Sequence, residues 1–549
     1  MLPTDARPYQ EIHDAFRWNI PAYYNIGVDV CDKWAETDPG RLALIHVAAD
    51  GSSRRYSFGE IKESSDRLAN LFLSYGVKIG DRISILLPQA PETAMAHVAA
   101  YKIGAIAIPL FALFGAEALE YRLHNSGTRV VVTNAAGAAK LAGIRERLPE
   151  LKTVLTIDGA FNGTVDLHQA LKQTSSDLTP VRTKADDPAV IIYTSGTTGQ
   201  PKGALHAHRV LLGHLPGVEL SHNLFPLEGD LLWTPADWAW IGGLLDVFLP
   251  AWHHGVPLVA HRFEKFTGEA AFQVLQDYGV RNTFLPPTAL KMMRTVADPE
   301  KRWRYQLRSV ASGGESLGTE LLDWGRKTFD LTINEFYGQT ECNMTVSSCA
   351  AIMDCKPGAI GRAAIGHKLA IVDAQGQVLP PGSDGNIAVQ RPDPVMFLQY
   401  WNNPQATQDK FVGDWLLTGD TGCMDEDGYI RFVGRDDDVI TSAGYRIGPG
   451  EIEDNILQHP AVKMVAVIGS PDPQRTEIVV AVIVLKDVVT GDDQLKREIQ
   501  EHVKVRLAAH EYPREIFFVD ELPMTTTGKV IRRELRARVS AWRAQALQA

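Results

Sequence analysis

The chain is poor in the features that would make it a disulfide scaffold, a membrane span or a nucleic-acid binder. It has five cysteines in 549 residues (Cys31, Cys342, Cys349, Cys355, Cys423), and no two form a C-x-x-C pair. Their spacing fits no zinc pattern and reads as scattered free thiols in a reducing compartment. The longest apolar run, 103–116, is broken by Pro109 and falls short of the ~20 residues a membrane span needs. The opening MLPTDARPYQ has no basic stretch leading into an apolar one, so a secretory signal is not expected. These absences predict a cytoplasmic protein with no stable membrane insertion. Positive charge is not in excess either: 55 Lys+Arg against 66 Asp+Glu leave a net charge of −11. That argues against nucleic acid as a partner. Anionic substrates would have to be met by local cations and backbone dipoles. No fixed-period repeat is visible.

Apolar residues make up 45% and charged residues 22%, the balance of a globular protein. At roughly 150 residues per domain the length amounts to about three to four domains' worth of chain. Residues 58–75 have helical periodicity, with Ile61, Leu68, Leu71 and Phe72 on one side and Ser57 and Glu60 at capping-box spacing. Short apolar or β-branched runs at 82–87, 105–110, 130–133 and 153–157 are bounded by turn residues and predict strands. This alternation implies an α/β fold with layered parallel sheets. The pattern changes at Asp436-Asp437-Asp438. Beyond it, 477–485 and 514–519 read as strands and 494–508 as a helix capped by Asp492 or Asp493. We expect a large multi-layer N-terminal domain with parallel and mixed sheets (1–434) and a small mobile α/β C-terminal domain (435–549).

Residues 189–203, AVIIYTSGTTGQPKG, carry the most chemistry. A buried-strand pattern runs into Thr194, Ser195, Gly196, Thr197, Thr198 and Gly199, then Lys202. Hydroxyls and glycine amides can wrap polyphosphate oxygens, and the lysine adds charge. The spacing is not that of a Walker A loop.

YTSGTTGQPKG resembles the phosphate loop of the adenylate-forming superfamily, and further signatures of that family follow in order. Gly313-Gly314-Glu315 matches its backbone edge against adenine. Tyr337-Gly338-Gln339-Thr340-Glu341 resembles the adenine and magnesium motif. Thr418-Gly419-Asp420 resembles the ribose motif, and 434–438 (GRDDD) the hinge. Ser442-Ala443-Gly444-Tyr445-Arg446 resembles the loop that meets CoA, and Thr527-Gly528-Lys529 the catalytic-lysine motif. The medium-chain acyl-CoA synthetases are the branch most like this chain, through GYRIGPGEIE (444–453) and SPDPQR (470–475).

The resemblance implies an AMP-forming acyl-CoA synthetase using ATP, Mg²⁺ and coenzyme A on a small-molecule carboxylate. It implies Lys529, Thr340 and Glu341 as the catalytic set. Glu341 and Thr197 would meet the metal. Gly314, Glu315, Tyr337, Gly338, Gln339, Asp420 and Arg435 would join the phosphate loop around the nucleotide. Gly444, Tyr445, Arg446 and Arg475 would contact CoA, and Asp437 would be the pivot between two half-reactions. Trp238, Trp240, Gly242 and Gly338 would line the acyl pocket, Trp240 at the family's aromatic gate position. Acetate-specific relatives carry tryptophan where this chain has Gly338, so an open floor and acids of about C4–C8, straight, branched or aromatic, are expected. Acylation would remove the charge of Lys529, making it a candidate for a lysine acyltransferase and deacylase. A homo-oligomer is a further expectation. His206 and His208 belong to no apparent metal cluster.

Overall fold

The computed structural model describes residues 1–549 except 162, 195–199, 316, 436–437, 443–444, 473–474, 488, 508–511, 526–528 and 547–549, and gives no side chain at 441, 445, 446, 451 or 546. Helix Phe58–Ser74 begins where Ser57 accepts from the Glu60 amide and Glu60 accepts from the Ser57 amide, the expected reciprocal cap. Ile61, Leu68, Leu71 and Phe72 are buried on its inner face. Strands Arg82–Leu86, Ile106–Pro109, Val130–Thr133 and Thr153–Thr156 lie side by side in parallel, as the punctuated apolar runs predict.

Among the described residues the strands form sheets of fourteen, eight and five. In the eight-stranded sheet, Pro188–Thr194 runs parallel to Ile106–Pro109 and turns back antiparallel as Lys202–Ala207. The fourteen-stranded sheet is parallel through Leu232–Trp233, Asn282–Phe284, Ser309–Gly313 and Ile333–Gln339. It then becomes antiparallel through Cys342–Ser347 and ends in a meander that includes Trp415–Met424 and Tyr429–Arg435. The main core joins Phe58, Phe72, Tyr101, Phe248, Trp252 and Phe284 with apolar residues of both large sheets. The five-stranded sheet starts at Ile440 and has its own core, including Ile452, Val467, Ala481, Ile499 and Val503. Helix Asp493–Arg506, capped by Asp492 through the Leu495 amide, and strand Glu515–Phe518 fall where the sequence places them. Among the described residues no helix is long and apolar enough to cross a membrane.

One buried charge cluster ties the helical layer together. The Lys102 ammonium, with its side chain fully buried, lies 2.6 Å from both Asp32 and Asp66 and donates to Ser65 at 3.0 Å. Lys62 reaches Asp66 from the rim at 2.7 Å. Removing the central cation would strand two carboxylates away from water. Lys102→Met is therefore expected to destabilise the protein by about 3–5 kcal/mol. Equilibrium denaturation would read the loss, and a midpoint equal to wild type would contradict it.

Candidate active site

The site gathers at one end of the two large sheets. Thr194 and Lys202 face each other across the antiparallel hairpin, with Thr194 Oγ1 donating to the Lys202 carbonyl at 3.4 Å. The loop they close, Ser195, Gly196, Thr197, Thr198 and Gly199, lies outside the described residues. Strand Ser309–Gly313 delivers Gly314 and Glu315. Gly314 adopts φ +97°, and a Cβ there would stand 3.3 Å from the Trp240 ring, so only glycine fits both backbone and neighbour.

Strand Ile333–Gln339 carries Tyr337, Gly338 and Gln339 to the edge, and Thr340 and Glu341 complete the turn into Cys342–Ser347. The Tyr337 hydroxyl donates to Asp420 Oδ2 at 2.5 Å, and Asp420 pairs with Arg435 on the adjacent strand at 3.8 Å. Burial, with the negative Asp420 beside it, pushes the Tyr337 phenol well above its ordinary pKa. Gln339 donates to the Thr418 carbonyl at 2.9 Å, and Lys410 donates to both Gln339 Oε1 and that carbonyl, at 3.0 and 3.2 Å. The expected adenine and ribose motifs are thus bonded to each other directly. Lys410 pins them, and nothing in its sequence context signals that.

Lys529 enters from the smaller unit. Its backbone amide donates to Thr525 Oγ1 at 3.0 Å, and Thr525 N donates back to the Lys529 carbonyl at 2.7 Å. Its Nζ lies 5.9 Å from the centre of the Trp240 ring and 3.8 Å from where a Gly314 Cβ would stand. Burial lowers the Lys529 pKa, an effect opposed by Glu315 and reinforced by Arg435. Glu315 is shifted upward by burial, with Lys291 and Lys529 pulling the other way. Lysine, glutamate and indole therefore form one cluster across two structural units.

Two pocket expectations meet the packing. A Cβ on Gly338 would lie 2.5 Å from the Met344 amide and 2.6 Å from Asn343 Cα. The expectation of open volume at Gly338 is corrected: the neighbouring strand backbone occupies that direction. Trp238 is 1% exposed and stacks on Phe248 with ring centres 4.6 Å apart, inside the main core. Trp240 is half-buried, tilted against Phe284 at 5.7 Å, and a Cβ on Gly242 would lie 3.0 Å from its ring. His206 and His208 are fully buried with pKa values driven down to about 3 by desolvation, so both are neutral.

The coenzyme A candidates collect at one end of the five-stranded sheet. Ile440–Ser442 pairs with Tyr445–Ile447, and Ser442 faces Thr476, next to Arg475. Arg475 N donates to Asp472 Oδ1 at 2.9 Å. Gly444 and the Tyr445 and Arg446 side chains lie outside what is described, as does Asp437. Its neighbour Asp438 accepts from Arg536 at 2.7 Å and lies 3.7 Å from Arg532.

The pattern for AMP-binding enzymes matches residues 31–401, and that for the AMP-binding enzyme C-terminal domain matches 451–529. The chain belongs to the AMP-binding enzyme family. It is 37% identical over 546 residues to an acetyl-coenzyme A synthetase of Bacillus subtilis (strain 168), covering 96% of this chain and 94% of that one. Identity is 35% over 554 residues to the mitochondrial acyl-coenzyme A synthetase ACSM3 of Rattus norvegicus, covering 97% and 94%. Among solved structures, the anthranilate CoA ligase AuaEII in complex with anthranoyl-AMP superposes with TM-score 0.86 at 27% identity, covering 94% of this chain and 98% of that one. A Brucella canis acyl-CoA synthetase superposes with TM-score 0.76 at 33% identity, covering 97% and 99%.

The AMP-binding enzyme is thus an AMP-forming acyl-CoA synthetase, acting on a carboxylate with ATP and CoA through an acyl-adenylate. Mg²⁺ is usual for the family, and the donor set fits it. Glu341 offers a buried carboxylate, and among the described residues no three His, Cys, Asp or Glu side chains cluster to hold a metal on their own. A hard ion that keeps waters and phosphate oxygens needs only one or two protein carboxylates.

Sequence reasoning did not find that acidic side chains of the two units, Glu335 and Asp454, influence one another. Glu335 is half-buried and its carboxyl pushed up to about 7, chiefly by desolvation, with a bond from the Leu317 amide opposing and Asp454 of helix Pro449–Leu457 adding to the rise. A Cβ on neighbouring Gly318 would touch Asp454 Oδ1 at 2.9 Å. A folded-state carboxyl pKa above the unfolded value of 4.5 stabilises below that value and is lost as pH rises through about 7. Glu335→Gln should flatten the fall in thermal midpoint between pH 5 and pH 8. An unchanged pH profile would show that the residue does not titrate there.

Proposed function

We propose that Lys529 bridges the carboxylate and α-phosphate in adenylation and leaves before the thiol arrives. The observation that carries this is its position: its Nζ lies against Trp240 and beside Glu315, on a loop that closes onto the site from another sheet. A single cation there offsets the repulsion between two anions as the new bond forms. Thr340 donates to the α-phosphate, Glu341 holds Mg²⁺, and Thr194 to Lys202, with Thr197 near the metal, wrap the remaining phosphates. Tyr337 and Gly314 flank adenine, and Asp420 and Arg435 take the ribose. The two units are domains that meet at 435–438 and rotate about Asp437. That motion brings Gly444, Tyr445, Arg446 and Arg475 to CoA.

This assignment separates the half-reactions. Lys529→Ala should lose adenylation by roughly 10²–10³-fold, the worth of one oxyanion-type donor. Conversion of pre-made acyl-adenylate to thioester should continue near the wild-type rate. Equal losses in both steps would refute it. A carrier-protein thiol preferred over CoA in the second step would mark a stand-alone adenylation enzyme instead.

For the acid, we propose chains of about C4–C8 or a benzoate-like ring, held between Trp240, Phe284 and Gly242. Support comes from the half-buried Trp240 beside Phe284, two aromatic faces that close on Gly242 so tightly that a Cβ there would lie 3.0 Å from the indole and 3.1 Å from the phenyl ring. In a panel from acetate to dodecanoate with branched and aromatic acids, butyrate or hexanoate should exceed acetate by orders of magnitude in kcat/KM, since each buried methylene contributes about 10–200-fold. Gly242→Ala should shift the optimum to shorter acids by crowding the indole. A wild-type preference for acetate would overturn the pocket assignment.

A further inference from the structure

A short aromatic segment, 397–401, touches both halves of the phosphate site. Its backbone first meets the magnesium motif, where Phe397 N donates to the Glu341 carbonyl at 2.8 Å. It then meets the phosphate hairpin. Leu398 N donates to the Leu205 carbonyl and Trp401 N to the Gly203 carbonyl, each at 2.7 Å, while Gln399–Tyr400 pairs antiparallel with Lys202–Ala207. The segment is a clip between the strand bearing Lys202 and the turn bearing Glu341.

The side chain of Tyr400 continues the clip. It is 3% exposed, its hydroxyl donates to Glu341 Oε1, and its ring lies 5.2 Å from Lys202 Nζ. Phe397 packs edge-on against that ring at 4.9 Å, and Thr407 Oγ1 accepts from the Tyr400 amide at 2.9 Å, so the ring is held on several sides.

We infer that Tyr400 is a positioning residue for the Glu341 carboxylate. Its hydroxyl takes Oε1 and so presents Oε2 toward the phosphates, while its ring seats Lys202. The inference rests on the reading of Glu341 as the magnesium ligand. A carboxylate on its own rotates about its last torsion and offers either oxygen; a buried donor on one of them fixes the choice before ATP and metal arrive. Outer partners of this kind typically set metal affinity by 10–100-fold. The ring face adds a cation–π seat that keeps Lys202 on the same side as the metal edge.

Tyr400→Phe tests this, because it keeps the ring, the packing and the lysine contact and removes only the hydroxyl. The Mg²⁺ concentration for half-maximal adenylation at fixed ATP should rise by about 10–100-fold, and excess Mg²⁺ should restore most of kcat. Calorimetric titration supplies a readout apart from turnover. ATP should bind the variant as wild type in EDTA, whereas the gain in affinity on adding Mg²⁺ should shrink. Thioester formation from pre-made acyl-adenylate should be unchanged. An unaltered Mg²⁺ dependence would overturn the inference, as would an equal loss of ATP affinity with and without metal, which would mean a structural role only. Glu341→Gln separates the two layers. If it leaves the Mg²⁺ dependence intact, the metal assignment of Glu341 fails. If it abolishes that dependence while Tyr400→Phe does nothing, only the role of Tyr400 fails.

Discussion

The constraint that organises this protein is the placement of one ammonium among groups it does not share a sheet with. Lys529 belongs to the unit of five strands, and Glu315, Trp240 and Asp420 belong to the body it closes on. A lysine withdrawn from water favours its neutral form unless negative charge compensates. Here Glu315 supplies part of that charge. The surrounding structure follows from that need. The Gly313-Gly314 turn lets the indole and the ammonium approach backbone, and the Thr525 hydroxyl fixes the loop from behind.

Around this contact the smaller unit pairs its other charges internally. Arg532 bonds Glu453 at 2.6 Å and, with Arg536, flanks Asp438. The basic run after Lys529 is therefore spent inside the smaller unit, leaving Lys529 as the cation extended to the site. Glu335 and Asp454 meet with the same sign on the far side of the Leu317-Gly318 turn. Attraction at Lys529 and repulsion at Asp454 thus act on neighbouring parts of the larger unit.

The side that carries Thr194, Lys202 and Glu341 is built differently, from main-chain ladders. Thr194 and Lys202 are opposed by strand register, and the clip at 397–401 joins that register to Glu341. Precision there comes from sheet hydrogen bonds, which tolerate little displacement.

Much of this was legible in the residues alone. The capped helix at Phe58–Ser74, the parallel strands and the helix Asp493–Arg506 follow from local periodicity and capping, which act over a few residues. The motif order from Thr194 to Lys529 led to the family, because phosphate chemistry demands particular residue types in contiguous runs. Contacts between distant segments had no such signature. Tyr400 on Glu341, Lys410 on Gln339, and Glu335 near Asp454 join residues dozens to more than a hundred positions apart, and no local pattern encodes a partner that remote. The same limit explains Gly338, where a glycine that reads as space is a glycine against a strand. Sequence determined which chemistry the chain carries, through the side chains it sets in a row. Tertiary packing decided which direction each of them faces and how much room is left, because volume is set by whatever segment folds against it.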